Sequence, residues 1–251
     1  QATAKSVAAT GINWTFGPVA NMSNNEMWGR MYESFGEDPE IVKNLTKAIV
    51  QGLQGNDLSE DATVAACAKH YFGDGVAAMG HERGEATISD KSIHYAPYEE
   101  AAKMGLGSVM AAFTKTNGTR MHHNKDELDY LKNDMNFDGV VVSDWVGWSV
   151  GSGSDVTSAV SSINAGVDIL MAAGNHNDQP AVSHLAIYDE LLGAVDGGQV
   201  SGQRVDDAVR RILRLKYRLG LFDQTDAGHK HQSKVGSVEY TAHAREAFQK
   251  S

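Results

Sequence analysis

The chain has 251 residues and carries 22 Lys and Arg against 32 Asp and Glu, a formal net charge of −10 at pH 7. That balance disfavours nucleic acid and anionic membrane as partners, because both reward a basic face. Apolar residues make up 41% and charged residues 22%, a composition that supports a buried core and excludes wholesale disorder. A single cysteine, Cys67, excludes an intramolecular disulfide framework and a cysteine-rich zinc site, and no apolar run approaches the ~18 residues of a membrane-spanning helix.

The chain opens at Gln1 without a Met or a signal-peptide layout and stops at Lys250-Ser251 within a helical pattern, so both ends read as cuts. Strands and helices alternate between them. Residues 12–19 read as a strand and 39–53 as a helix, with Pro39 in the first turn, where its missing N–H costs nothing. Residues 64–71 are strand-like, and a helix bearing Tyr95, Tyr98 and Ala101 follows. The next strand covers 108–113, and a helix runs over about 125–133. The continuous β-branched run Gly139-Val-Val-Val-Ser-Asp144 reads as a strand covered on both faces. A helix over 155–164, a short strand over 168–171 and helices over 186–195 and 204–219 follow, with Gly220 where a helix stop belongs. Residues 223–236 are polar and read as a linker. Five strand–helix units imply a parallel sheet with helices outside, and both a doubly wound sheet and a barrel fit. No G-x-G-x-x-G follows a strand, so a dinucleotide site has no support. The Gly151-Ser-Gly153-Ser-Asp155 stretch reads as a loop with a helix cap rather than a phosphate cradle.

In parallel barrels, reactive groups sit at the carboxyl ends of strands. The polar residues that follow each apolar run are Asn21 with Trp28-Gly-Arg30, Lys69-His70 with Asp74, Asn117, Ser143-Asp144-Trp145, and Asn175, His176 and Asp178. A carboxylate, a Lys–His pair, an Arg and a Trp suit a sugar: cations and amides bind hydroxyls, an aromatic face stacks on a pyranose, and a carboxylate serves an oxocarbenium centre. Plainer readings stand beside these. Asp144 can cap a helix, Lys69-His70 can end a strand, and Trp28 and Arg30 can pack and pair. The His122-His123 and His229-Lys-His231 pairs lack carboxylates at metal-ligand spacing and read as exposed histidines, so no metal is expected. The Asn-x-Ser/Thr sequences at Asn13, Asn21, Asn44 and Asn117 are discounted as chance. No G-x-S-x-G elbow surrounds Ser143, which argues against a serine hydrolase.

Six ordered motifs carry a family resemblance: Gly11-Ile-Asn-Trp-Thr-Phe-Gly-Pro18; Trp28-Gly-Arg30 with Tyr32-Glu-Ser-Phe-Gly-Glu-Asp-Pro39; Ala68-Lys-His-Tyr-Phe-Gly-Asp-Gly75; Ser108-Val-Met110 to Asn117-Gly118; Phe137-Asp-Gly-Val-Val-Val-Ser-Asp-Trp145; and Asn164-Ala-Gly-Val-Asp-Ile-Leu-Met171. Together they resemble glycoside hydrolase family 3, the β-glucosidase and exo-β-glucanase family, over nearly the whole chain. The Met121-His122 and Asn124-Lys125 surroundings look most like bacterial exo-acting enzymes.

The resemblance implies a partial (β/α)8 barrel over residues 1–222, with about five strand–helix units present and about three that would precede them. It implies that 223–251 is a linker and the lead-in to a second α/β domain. It assigns Asp144 as the nucleophile of a retaining mechanism, with Trp145 beside the sugar ring. Arg30, Lys69 and His70 would hold hydroxyls, and Met110 and Phe113 would line the same subsite. The substrate would be a β-glucoside or β-glucan oligosaccharide, with no metal or organic cofactor, and the location periplasmic or secreted. The family's acid/base is a Glu on the second domain, and none of Glu33, Glu37 or Glu82 matches it. Asn21 and Asn25 stand where aspartates are frequent, Met27 where Arg is frequent, and Asn136 where Gly is found. The alternative is a degenerate barrel that only binds sugar or assembles with a second chain.

Overall fold

The computed structural model describes residues 1–149, 155–172, 184–223 and 231–250. Helices α1 (Ala2–Ala8) and α2 (Pro39–Gln54) precede strand β1 (Cys67–Tyr71). Strand β2 (Glu85–Ala86) and helix α3 (Ser92–Lys103) lead to β3 (Ser108–Ala111), then to β4 (Lys115–Thr116) and β5 (Thr119–Arg120). Helix α4 (Lys125–Asp129) widens into a π turn before β6 (Val140–Val142). Helices α5 (Asp155–Ala165), α6 (His184–Asp196), α7 (Gly202–Arg218) and α8 (Val238–Lys250) complete the described elements.

The central sheet is parallel in the order β1-β3-β6. Parallel bridges extend it on both sides, Trp14↔Ala65 and Val19↔Lys69 beyond β1, and Val142↔Ile169 beyond β6. Five parallel segments therefore lie side by side in chain order. A doubly wound sheet reverses its strand order at a switch point; this order never reverses, so the molecule is an arc of a (β/α)8 barrel.

Two expected strands, 12–19 and 168–171, reduce to bridges. The first contains Pro18, which has no N–H to give the ladder. In the second, the Met171 N–H donates to the Ser143 hydroxyl at 2.7 Å, and the Val141 N–H donates to the Asp168 carboxylate at 2.8 Å. Side chains thus take the places of ladder partners, and the strand stops.

The second sheet was not legible in the pattern. Strand β2 pairs parallel with β4, and β4 pairs antiparallel with β5 around Asn117 (φ 49°) and Gly118 (φ 88°). Two successive positive φ values make the Asn-Gly hairpin turn. Asn117, a candidate for chemistry, is structural instead: its Oδ1 accepts from the Ile88 N–H at 3.0 Å and its Nδ2 donates to the Ile88 carbonyl at 3.1 Å.

The helices form where the sequence favours them. Asp38 Oδ1 caps α2 by accepting the N–H groups of Glu40 and Ile41 at 2.8 and 3.0 Å, and Val42, Thr46, Val50 and Leu53 face the core. Helix α7 is fastened by arginines: Arg211 donates to the carbonyls of Phe137 and Gly139, and Arg204 and Lys132 both pair with the buried Asp168. Gly220 follows α7 at φ 66°. Helix α8 buries no residue. The 150–154 stretch and Asn175, His176 and Asp178 fall outside the described residues.

Candidate active site

The site gathers where the strands end. Its floor is Cys67 from β1, Met110 from β3 and Val142 from β6, packed together with Trp14, Ile169 and Met171 against them. Burial pushes the Cys67 thiol up to about 12, so the floor carries no thiolate.

Above that floor, His70 is the hub. Its side chain is 2% exposed. Nδ1 lies 3.0 Å from Asp74 Oδ2, at ion-pair distance but out of line for a hydrogen bond. The other Asp74 oxygen accepts from the Thr114 hydroxyl. On the open side, His70 Nε2 lies 3.0 Å from Arg30 Nη1 and 3.5 Å from Asp144 Oδ2. The hub therefore touches both the cation and the carboxylate that the sequence singled out, across 40 and 74 residues of chain. Peptide bonds 69–70 and 71–72 are cis, and the β1–β3 register shifts between Ala68 and Tyr71.

Arg30 is held by two carboxylates. Nε and Nη2 donate to the two oxygens of Glu33 at 2.7 and 2.9 Å, and Nη1 donates to Glu82 at 2.8 Å. A bidentate pair fixes both position and plane. The hydrogen bonds from Arg30 hold the Glu33 carboxyl below its usual range, and the charges of Lys69 and His70 add to that. The Lys69 main chain bridges the first segment, its N–H donating to Pro18 at 2.9 Å. Phe113 is buried with the Arg83 guanidinium 5.0 Å over its ring, and its carbonyl accepts from Arg120.

Asp144 stands at the opening, its side chain 14% exposed. Its Oδ1 accepts the N–H of Trp145 at 2.6 Å, and Trp145 itself is half exposed. A partly exposed carboxylate, a flat aromatic beside it, and a half-buried cation and a buried imidazole behind it are parts that suit a sugar site. Arg30 and Asp144 each meet His70, Met110 lies in the floor, and Phe113 packs 5.9 Å (ring to ring) from His122.

His122 corrects the sequence reading. It is not exposed but fully buried, and its Nε2 accepts the Asp144 backbone N–H at 3.0 Å. Burial pushes its imidazole down to about 3. His123 is half-buried, with Nε2 3.0 Å from the Trp148 carbonyl. No group of three or more metal-ligating side chains occurs among the described residues. Asp74 and His122 are the two members underrated from sequence: Asp74 was one polar residue among many, and no spacing rule marks a histidine that binds a distant main chain.

Residues 1–215 match the model of the glycosyl hydrolase family 3 N terminal domain. The chain belongs to glycosyl hydrolase family 3. An exo-1,3/1,4-beta-glucanase from a Pseudoalteromonas species superposes with a TM-score of 0.90 at 40% identity, over 98% of this chain and 31% of that one. A beta-glucosidase from Listeria innocua in complex with glucose gives a TM-score of 0.88 at 32% identity, over 98% of this chain and 34% of that one. The Lysosomal beta glucosidase of Dictyostelium discoideum is 34% identical over 238 residues, 88% of this chain and 28% of that protein. The Periplasmic beta-glucosidase of Salmonella typhimurium is 29% identical over 96% of this chain and 32% of that protein. This family 3 chain thus spans about a third of the length of such relatives, and no helix among the described residues is long and apolar enough to cross a membrane.

Proposed function

We propose that this family 3 chain forms the glucose-holding, nucleophile-bearing part of an enzyme that releases glucose from the non-reducing end of β-glucosides or β-glucan oligosaccharides with retention of configuration. The observation that carries the reading is the Asp144 carboxylate, set at the opening 3.5 Å from His70 Nε2 and beside the half-exposed Trp145.

Arg30 and His70, with Lys69 next to them in the chain, bind sugar hydroxyls. Trp145 offers its face to the ring, and Met110 and Phe113 close the apolar side. Asp144 attacks the anomeric carbon as the aglycone oxygen departs, a covalent glycosyl-enzyme forms, and water then releases glucose. The departing oxygen needs a proton. A general acid requires a raised pKa, and Glu33, hydrogen-bonded by Arg30, has a lowered one, which argues against Glu33 as the donor; the family resemblance assigns the donor to a second domain. We assign residues 1–222 to the barrel part and 223–251 to the linker and lead-in.

Two rows of exposed apolar side chains, Ile41, Leu45 and Ile49 on α2 and Val209, Leu213 and Tyr217 on α7, favour assembly with further parts of the same enzyme or a second chain. The periplasmic relative favours a periplasmic or secreted location. The alternative, a degenerate barrel that only binds sugar, loses support from the departures themselves. Asn21 accepts from the Tyr98 hydroxyl, and Asn25 bonds the Ala77 carbonyl and the Met27 N–H, so both serve local structure.

The test is turnover of an aryl β-glucoside by the full chain. Asp144→Asn is expected to lower kcat by ~10³-fold or more, and NMR of the first product to show the β anomer. Unchanged turnover in Asp144→Asn would remove the assignment.

A further inference from the structure

We propose that His122 is a positioning residue that fixes the main chain of the nucleophile. The proposal rests on the reading of Asp144 as nucleophile. His122 lies in the short turn Met121–His123, directly after strand β5, and reaches 22 residues along the chain to Asp144. The bond is to the main chain: His122 accepts the Asp144 backbone N–H through Nε2 at 3.0 Å.

The bond dictates the tautomer. Nε2 must carry a lone pair, so the hydrogen of the neutral ring sits on Nδ1. Protonation would turn N–H against N–H and break the contact. The surroundings prevent it: the ring is fully buried, and the charges of His123, Arg120 and His70 all oppose a further proton, holding the imidazole down at about 3.

The ring is also wedged in place. Phe113 packs on one side at 5.9 Å between centroids. Gly147 lies on another, where an added Cβ would come within 2.4 Å of His122 Cε1 and 2.5 Å of Nε2. Gly147 therefore permits the approach, and a larger residue would displace the imidazole.

Position matters here because Asp144 is short. One methylene joins its carboxyl to its Cα, so a shift of the main chain moves the carboxylate almost equally. The chain also leaves the strand at this point, with Val146 at φ 52°, and the ladder ends at Val142. The His122 bond holds Asp144 just past the last paired residue. Displacing a reacting group by about 1 Å can cost ~10²-fold in rate.

The experiment has two arms on the full chain. With 15N-labelled histidine, NMR is expected to show the His122 ring singly protonated on Nδ1 from pH 8 to about pH 5. A hydrogen on Nε2 would overturn the proposal. In kinetics on an aryl β-glucoside, His122→Phe keeps a ring but offers no acceptor; kcat should fall ~10–10²-fold with KM within ~3-fold. His122→Gln, whose amide oxygen can accept the same N–H, should recover most of the loss. An unchanged kcat in His122→Phe, or an equal loss in both variants, would contradict the positioning role. Should His122→Phe fail to fold, Gly147→Ala takes its place and should lower kcat in the same way. Should the wild-type chain alone be inert toward the glucoside, the NMR arm decides the hydrogen bond independently of turnover.

Discussion

Acid sensitivity is set by single residues. His94 and His122 are both buried, and burial pushes them from 6.5 down to about 4 and about 3. Between these values the unfolded chain binds protons that the folded chain refuses, so stability falls as pH drops below about 6.5 and toward 4. At ~1.4 kcal/mol per pH unit, each histidine removes about 2–3 kcal/mol by pH 4.5. Urea midpoints at pH 7 and pH 4.5 check this: His94→Leu should flatten the dependence by about one histidine's share, and an unaltered slope would contradict it. Legibility at this scale followed chain continuity. Asp144 could be picked out because it ends an apolar run in a fold that collects reactive groups at strand ends. His122 could not, because its partner is a backbone N–H 22 residues away.

Among the elements, close backbone contacts outweigh caps. A Cβ on Gly139, at the entrance to β6, would meet the carbonyls of Leu106 and Gly107 at 2.5 and 2.6 Å. Two backbone atoms cannot step aside as a side chain can, so Gly139→Ala should cost ~1–3 kcal/mol or more. Asp38→Ala, which removes the α2 cap, should cost only ~1 kcal/mol. The urea midpoint should fall further for Gly139→Ala than for Asp38→Ala, and the reverse order would contradict this ranking. Helix α2 and strand β6 were readable because the first-turn proline of one and the β-branched run of the other are local signals. The β2-β4-β5 sheet was not, because two-residue strands carry no period, and Asn117 reads as a candidate for chemistry rather than as the first residue of an Asn-Gly turn. Residues 168–171 looked like a strand from composition, and only the pairing of Met171 with the Ser143 hydroxyl reveals why it stops.

Across the whole molecule, alternation of strands and helices was evident but strand order was not. Barrel and doubly wound sheet share the same alternation, and the choice depends on which segments pair. What closes the arc against its helices is charge as well as apolar packing. Asp168 is buried, accepts the Val141 N–H and pairs with Lys132 and Arg204, tying β6, α4's extension and α7 together. Removing it leaves two cations, Lys132 at 6% and Arg204 at 13% exposure, with only the more exposed Asp207 as a shared carboxylate partner. Asp168→Ala should therefore cost ~3–5 kcal/mol, read as a lower Tm; a Tm equal to wild type would mean that these elements hold without the network. Whether Asp144 forms the proposed covalent bond to sugar is decided by trapping. The full chain is incubated with an activated 2-deoxy-2-fluoro-β-glucoside, digested, and its peptides sequenced by mass spectrometry. One added fluoroglucosyl group is expected, on Asp144 within Val142-Ser143-Asp144-Trp145. A label on another carboxylate such as Glu33 or Glu82, or turnover of the parent glucoside with no trapped adduct, would contradict it.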